Sequence, residues 1–87
     1  MTISIDDATR RKRLLWRANH RGIKEMDLIL GGYVTCNIET FSGSDLRELE
    51  IIMDFPDQVM LAWATRQETV PAGQASPLLL KILGHRS

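Results

Sequence analysis

Arg21 and Glu25 stand four residues apart in the stretch His20-Arg21-Gly22-Ile23-Lys24-Glu25-Met26-Asp27, with a glycine directly after the arginine. On a continuous helix two such charges can pair, in the weaker of their two orders, for about 0.3–0.5 kcal/mol when exposed. Glycine inside a helix costs about 1 kcal/mol relative to alanine. The pair does not offset the glycine, so Gly22 reads as a helix start, a turn, or a place where another backbone comes close. Two readings stand. Either this is turn chemistry, or Arg21 and Glu25 flank a bare patch of main chain on which a partner settles, with the two charges fixing its orientation.

Other chemistry is thinly represented. His20 and His85 are the histidines, and no ordered spacing of ligands points to a zinc-type site. No glycine-rich loop has a phosphate-cradling pattern, and Gly31-Gly32 reads as a pair that permits close packing or loosens a helix turn. Cys36 is the one cysteine, so no intrachain disulfide forms. Such a residue reads as a small packed side chain in a reducing compartment. No catalytic, metal-binding or cofactor-binding residue is assigned. The run Arg10-Arg11-Lys12-Arg13 with Arg17 is either a solvated helix face or a phosphate-binding stripe, the footprint of a small nucleic-acid-binding helical module. Trp63, flanked by Met60 and Leu61, reads as core. Trp16, among arginines, reads as a core edge or a contact residue.

The elements that must position these residues are helical. The 87 residues suffice for one domain, residues 1–87, with one modest core. With 44% hydrophobic and 25% charged residues, the chain has the balance of a globular protein. Seven basic residues fall in the first 24 (Arg10, Arg11, Lys12, Arg13, Arg17, Arg21, Lys24), and five acids cluster later (Asp45, Glu48, Glu50, Asp54, Asp57). One end of the fold is therefore expected to be basic and another acidic. The N-terminus lacks the apolar segment of a signal peptide, and no apolar run is long enough to span a membrane. The expected location is the bacterial cytoplasm.

Ser4 and Asp7 resemble a capping box ahead of a first helix from about Ile5 to Ala18. A second helix is expected from Ile23 to about Val34. Its core face is Ile23, Met26, Ile29, Leu30, Tyr33 and Val34, while Leu28 lies beside Glu25 outside that stripe and hints at a second buried surface, within the fold or between molecules. Ser42 with Asp45, or Ser44 alone, caps a third helix, with Leu46, Leu49, Ile52 and Met53 inward and Arg47, Glu48 and Glu50 toward water. Pro56 stops it and starts a fourth containing Met60, Leu61, Trp63 and Ala64. Thr69 to Ser76 is a loop, and Ser76-Pro77 begins a last short helix, Leu78 to Leu83, ended by Gly84. Thr35 to Phe41 has β-formers but is too short and isolated to build a sheet. The fold class is all-α: a compact bundle of about five short helices.

The opening stretch resembles the RGxxE signature of the succinate dehydrogenase assembly factor family, the small flavinylation factors of bacteria and mitochondria. Arg21, Gly22 and Glu25 match its fixed letters. Arg13-Leu14 before it, Met26-Asp27-Leu28 after it, and Phe55-Pro56-Asp57 followed by Trp63 agree with the family's pattern. The likeness covers roughly Arg10 to Pro71; Asn37 to Ser44 and the C-terminal tail match less clearly. It implies a five-helix protein that is not an enzyme. Such a protein binds the flavoprotein subunit of succinate dehydrogenase, in some bacteria that of fumarate reductase, and promotes covalent attachment of FAD to a histidine of that subunit. It implies that Arg21, Gly22 and Glu25 form the client-binding site, with Arg13, Trp16 and Asp27 as neighbouring candidates. It implies no stably bound cofactor of its own, the FAD being the client's. The simplest expectation is a monomer that forms a heterodimer with its client.

Overall fold

The computed structural model describes residues 7–84; the expected start at Ile5, the Ser4 end of the first capping box and His85 lie outside them. Among the described residues every regular element is helical. In chain order these are α1 (Asp7–Ala18), α2 (Lys24–Met26), a π segment (Asp27–Gly31), α3 (Gly32–Asn37), a 3-10 turn (Ile38–Thr40), α4 (Gly43–Met53), α5 (Asp57–Ala64) and α6 (Pro77–Leu83). The α2, π and α3 segments run end to end, because Met26, Gly31 and Gly32 at their junctions keep right-handed helical backbone. Taken as one rod with α1, α4, α5 and α6, they give the all-α architecture expected.

The second rod shows why its sequence bends the helical rule. Met26, Leu30 and Val34 are fully buried, four residues apart each time. Four-residue steps overrun a turn of 3.6 residues. The wider π turn between Asp27 and Gly31 takes up that overrun and keeps all three side chains on the core. Ile23, Ile29 and Tyr33 pack at its edge. The rod continues past Val34, where it was expected to stop. The Asn37 side chain donates to the Tyr33 carbonyl at 2.8 Å, and Ile38 and Phe41 are buried, so tertiary packing outweighs the local β-preference. Cys36 is exposed rather than packed.

α1 lies against α4, the π segment and α3; α6 packs on α4, α5 and the π segment; α2 meets α5. One cluster of buried side chains draws on all of these. Where α1 ends, the chain comes so close to the π segment that a Cβ on Gly31 would sit 2.5 Å from Asn19 Oδ1 and 2.9 Å from the Ala18 carbonyl oxygen. The close backbone approach in this fold is thus at Gly31. The ends are capped as the sequence suggests. Ser42 and Asp45 form a reciprocal capping box on α4, Pro56 precedes α5, and the Ser76 hydroxyl accepts from the Leu79 N–H of α6.

α5 ends in a Schellman arrangement. The Gln67 N–H donates to the Ala62 carbonyl at 2.8 Å and the Arg66 N–H to the Trp63 carbonyl at 3.2 Å. Arg66 takes the left-handed position, at φ +63°, that glycine usually fills. No helix among the described residues is long and apolar enough to cross a membrane.

Two substitutions test this packing by urea unfolding. Gly31→Ala forces a methyl against the Ala18 carbonyl and is expected to cost about 1–3 kcal/mol, as overpacking does. Arg66→Gly removes a left-handed penalty of roughly 1–2 kcal/mol and gives back about 0.4–1 kcal/mol as unfolded-chain entropy, so stability is expected to rise slightly.

Candidate functional site

α1 stops at Ala18, and the next N–H groups fold back on its last carbonyls: Asn19 to Leu15 and Trp16, His20 to Arg17. His20 Nδ1 lies 2.7 Å from the Trp16 carbonyl oxygen. That oxygen can only accept, so Nδ1 carries the proton. The imidazole stacks on the Trp16 indole at 4.2 Å between ring centres and 12° between planes. Trp16 is 62% exposed, which makes the two rings a surface plate.

The chain then turns at Gly22, whose φ of +97° suits glycine and strains any L side chain. A Cβ there would meet nothing within 4 Å. Gly22 is therefore both a turn residue and open main chain, so neither of the two readings displaces the other. Ile23 is extended and α2 begins at Lys24 without a side-chain cap. Asp27 closes the turn, its Oδ1 accepting the Arg21 backbone N–H at 2.7 Å. Because Arg21 precedes the helix, the helical pair with Glu25 does not form.

The Arg21 side chain goes inward instead. Nε donates to Asp57 Oδ1 at 2.6 Å, Nη1 to the Met53 carbonyl at 2.8 Å and Nη2 to the Phe55 carbonyl at 2.7 Å. Met53 is the last residue of α4 and Asp57 the first of α5. One guanidinium thus holds the turn between two helices and satisfies a carbonyl that the end of α4 leaves without a helical partner. Only 10% of the Arg21 side chain and 19% of the Asp57 side chain remain exposed. Phe55 packs edge-on against the buried Trp63, 5.2 Å between ring centres, beside the same turn.

The site residues read from the sequence therefore divide. Gly22 and Glu25 are exposed, and Glu25 makes no hydrogen bond or ion pair among the described residues. Trp16 and Arg13 are exposed on α1, and Leu28 is 51% exposed. Arg21 and Asp27 are half-buried and engaged within the fold. His20, Asp57 and the Met53 and Phe55 carbonyls were not assigned from sequence. An arginine expected at a surface gives no local sign of its acceptors, which lie 32 to 36 residues further on.

The separate basic and acidic ends do not exist as expected. Because α1 packs on α4, the two charged stretches face each other: Arg10 pairs with Glu50 at 2.8 Å, Arg17 with Asp54 at 3.7 Å and Arg21 with Asp57. Glu50, expected to face water, is half-buried by this contact. Arg11 donates to the Ile38 and Phe41 carbonyls at 3.2 and 2.7 Å. With Arg10 and Arg11 turned into the fold, the basic run is not a free phosphate-binding stripe, and the nucleic-acid reading has no support.

A family model described as "Flavinator of succinate dehydrogenase" matches residues 12–86. The chain is 37% identical over 76 residues to the "FAD assembly factor SdhE" of Acetobacter pasteurianus, covering 87% of this chain and 70% of that protein. It is 33% identical over 75 residues to "Succinate dehydrogenase assembly factor 2, mitochondrial" of Dictyostelium discoideum, covering 86% and 52%. The protein of that name from Yarrowia lipolytica is 36% identical over 62 residues, covering 71% and 43%. The chain thus spans about half the length of these mitochondrial relatives. No solved structure matches.

Breaking the clamp is expected to destabilise the fold. Arg21→Ala leaves Asp57 and two carbonyls without their donor and should cost about 3 kcal/mol by urea unfolding. Arg21→Lys should recover only part of this, since an ammonium cannot reach three acceptors in one plane.

Proposed function

The chain belongs to the family of flavinators of succinate dehydrogenase, and from that premise we propose that it is an assembly factor. It binds the flavoprotein subunit of succinate dehydrogenase and promotes the covalent attachment of FAD to that subunit. One observation carries the assignment of the surface: Gly22 and Glu25 are open to a partner, while the arginine beside them is fixed to the fold.

The chemistry of that surface suits a protein partner. Bare main chain at Gly22 lets another backbone approach to contact distance. The Glu25 carboxylate is available to a cation or N–H of the client, a contact that fixes orientation and adds affinity once docking shields it from water. Trp16 and Leu28 add apolar area of the sort that anchors interfaces. The same carboxylate opposes a diphosphate, which favours FAD remaining the client's cofactor throughout. The factor is a monomer when free and forms a heterodimer with its client.

Flavin attachment needs the reacting groups in line, and charge developing on the flavin must meet donors already in place. The assembly factor supplies neither group. It binds the client's competent arrangement better than its open one, and about 1.4 kcal/mol of such preference shifts that equilibrium tenfold. No residue of the factor transfers a proton.

Deleting the gene is expected to remove most covalent flavin fluorescence from the flavoprotein subunit in a denaturing gel, and the tagged factor should co-purify with that subunit. Glu25→Ala and Gly22→Arg, each checked by circular dichroism for retained helix, should fail to restore the signal. Full flavinylation by the folded Gly22→Arg protein would show that the client docks elsewhere. Repeating the assay with the fumarate reductase flavoprotein tests whether it is a second client.

A further inference from the structure

We infer that Asp57 is a positioning residue for the docking stretch, acting through Arg21. This rests on the reading that Gly22 and Glu25 meet the flavoprotein subunit. The stretch is anchored through Ile23 and Met26, which pack on the core, while its outer face has no such hold. A Cβ on Gly22 would meet nothing within 4 Å, α2 opens without a side-chain cap, and His20, Lys24 and Glu25 are exposed.

Two carboxylates bracket the bare turn instead. Asp27 takes the Arg21 backbone N–H at 2.7 Å, and Asp57 takes its Nε at 2.6 Å. Arg21 is therefore held by main chain and side chain at once, directly before the left-handed glycine. The Met53 and Phe55 carbonyls fix the plane of the guanidinium. A stretch ordered in advance loses less conformational freedom on binding than a free loop does.

The geometry also separates the motif's roles. Each of the three Arg21 nitrogens already donates within the fold. Arg21 is a pin, contact falls to Gly22 and Glu25, and a residue 36 positions away sets their attitude.

A double-mutant cycle on binding to the purified flavoprotein subunit, measured by calorimetry with the full chain, tests this. Glu25→Ala alone should weaken binding roughly tenfold, and Asp57→Ala alone by a similar factor. In the Asp57→Ala background, Glu25→Ala should add less than about twofold, because the carboxylate is no longer presented. A loss of global stability would leave the two effects multiplying in the folded fraction. Asp57→Asn keeps an acceptor oxygen; it should lose less than Asp57→Ala and serves in the cycle if the alanine protein does not fold. Unchanged or tighter binding by the Asp57 variants would mean that a freed Arg21 reaches the client, and the inference fails. Independent, multiplying losses would also overturn it while leaving the docking surface intact. No effect of Glu25→Ala in the parent protein would overturn both.

Discussion

A single guanidinium ties the first third of the chain to its middle. Arg21 reaches Asp57, the Met53 carbonyl and the Phe55 carbonyl with three different nitrogens. A planar fork suits this arrangement, since three acceptors surround one rigid group; a flexible ammonium would meet one or two of them. The contact is largely shielded from water, so its failure would strand a carboxylate and two carbonyls rather than return them to solvent. What surrounds it depends on it. The turn into α5 follows the clamp, Phe55 is carried onto Trp63, and the chain between α1 and α2 is held where Gly22 can stand free.

The core makes a complementary demand on the same connection. α1 ends over Gly31, with its last carbonyl and Asn19 at distances that exclude a methyl group. The Asn19 amide also bridges the Leu15 carbonyl, at 2.9 Å, to the Thr35 hydroxyl, at 3.3 Å. The link from α1 to α2 is thus fixed from two sides, by close packing at Gly31 and by hydrogen bonds at Arg21. Sandwiched between them, Gly22 is the point where the chain reverses without a side chain to accommodate. Two glycines with opposite surroundings therefore serve one turn. One admits a neighbouring backbone of the same chain, and the other leaves main chain uncovered.

Local rules made much of this legible. A cap at or next to Ser42, the proline before α5, the helix start at Ser76 and the inward face of α4 follow from local spacing. The π segment did not follow, because Met26, Leu30 and Val34 fit a helical stripe well enough to hide the extra residue in the turn. Long-range partners were the larger gap. Arg10, Arg11 and Arg21 look alike in sequence, as members of a basic surface, yet each ends on an acceptor 27 to 40 residues away. Periodicity reports which face of a helix is apolar; it is silent on which cation caps a distant carbonyl. Phe55, Asp57 and Trp63 could be noticed as companions of the Arg21 stretch, but only their shared turn explains why they accompany it.

The zero net charge then takes on a different meaning. Part of that balance is matched in space, where Arg10, Arg17 and Arg21 stand opposite Glu50, Asp54 and Asp57 in the same order along both stretches. The exposed pair Arg17–Asp54 contributes little, while the shielded Arg21–Asp57 pair contributes geometry. Once these charges are matched internally, the groups left uncommitted around Gly22 are few. Lys24 and Glu25 follow it after Ile23, with opposite signs and no side-chain ion pair among the described residues. On the proposed docking surface selectivity would rest on register, since a partner seating its backbone on Gly22 would have to bring a donor to Glu25 and an acceptor to Lys24 at the same time. That requirement would hold only while the turn keeps one shape, and the turn's shape depends on the half-buried arginine behind it.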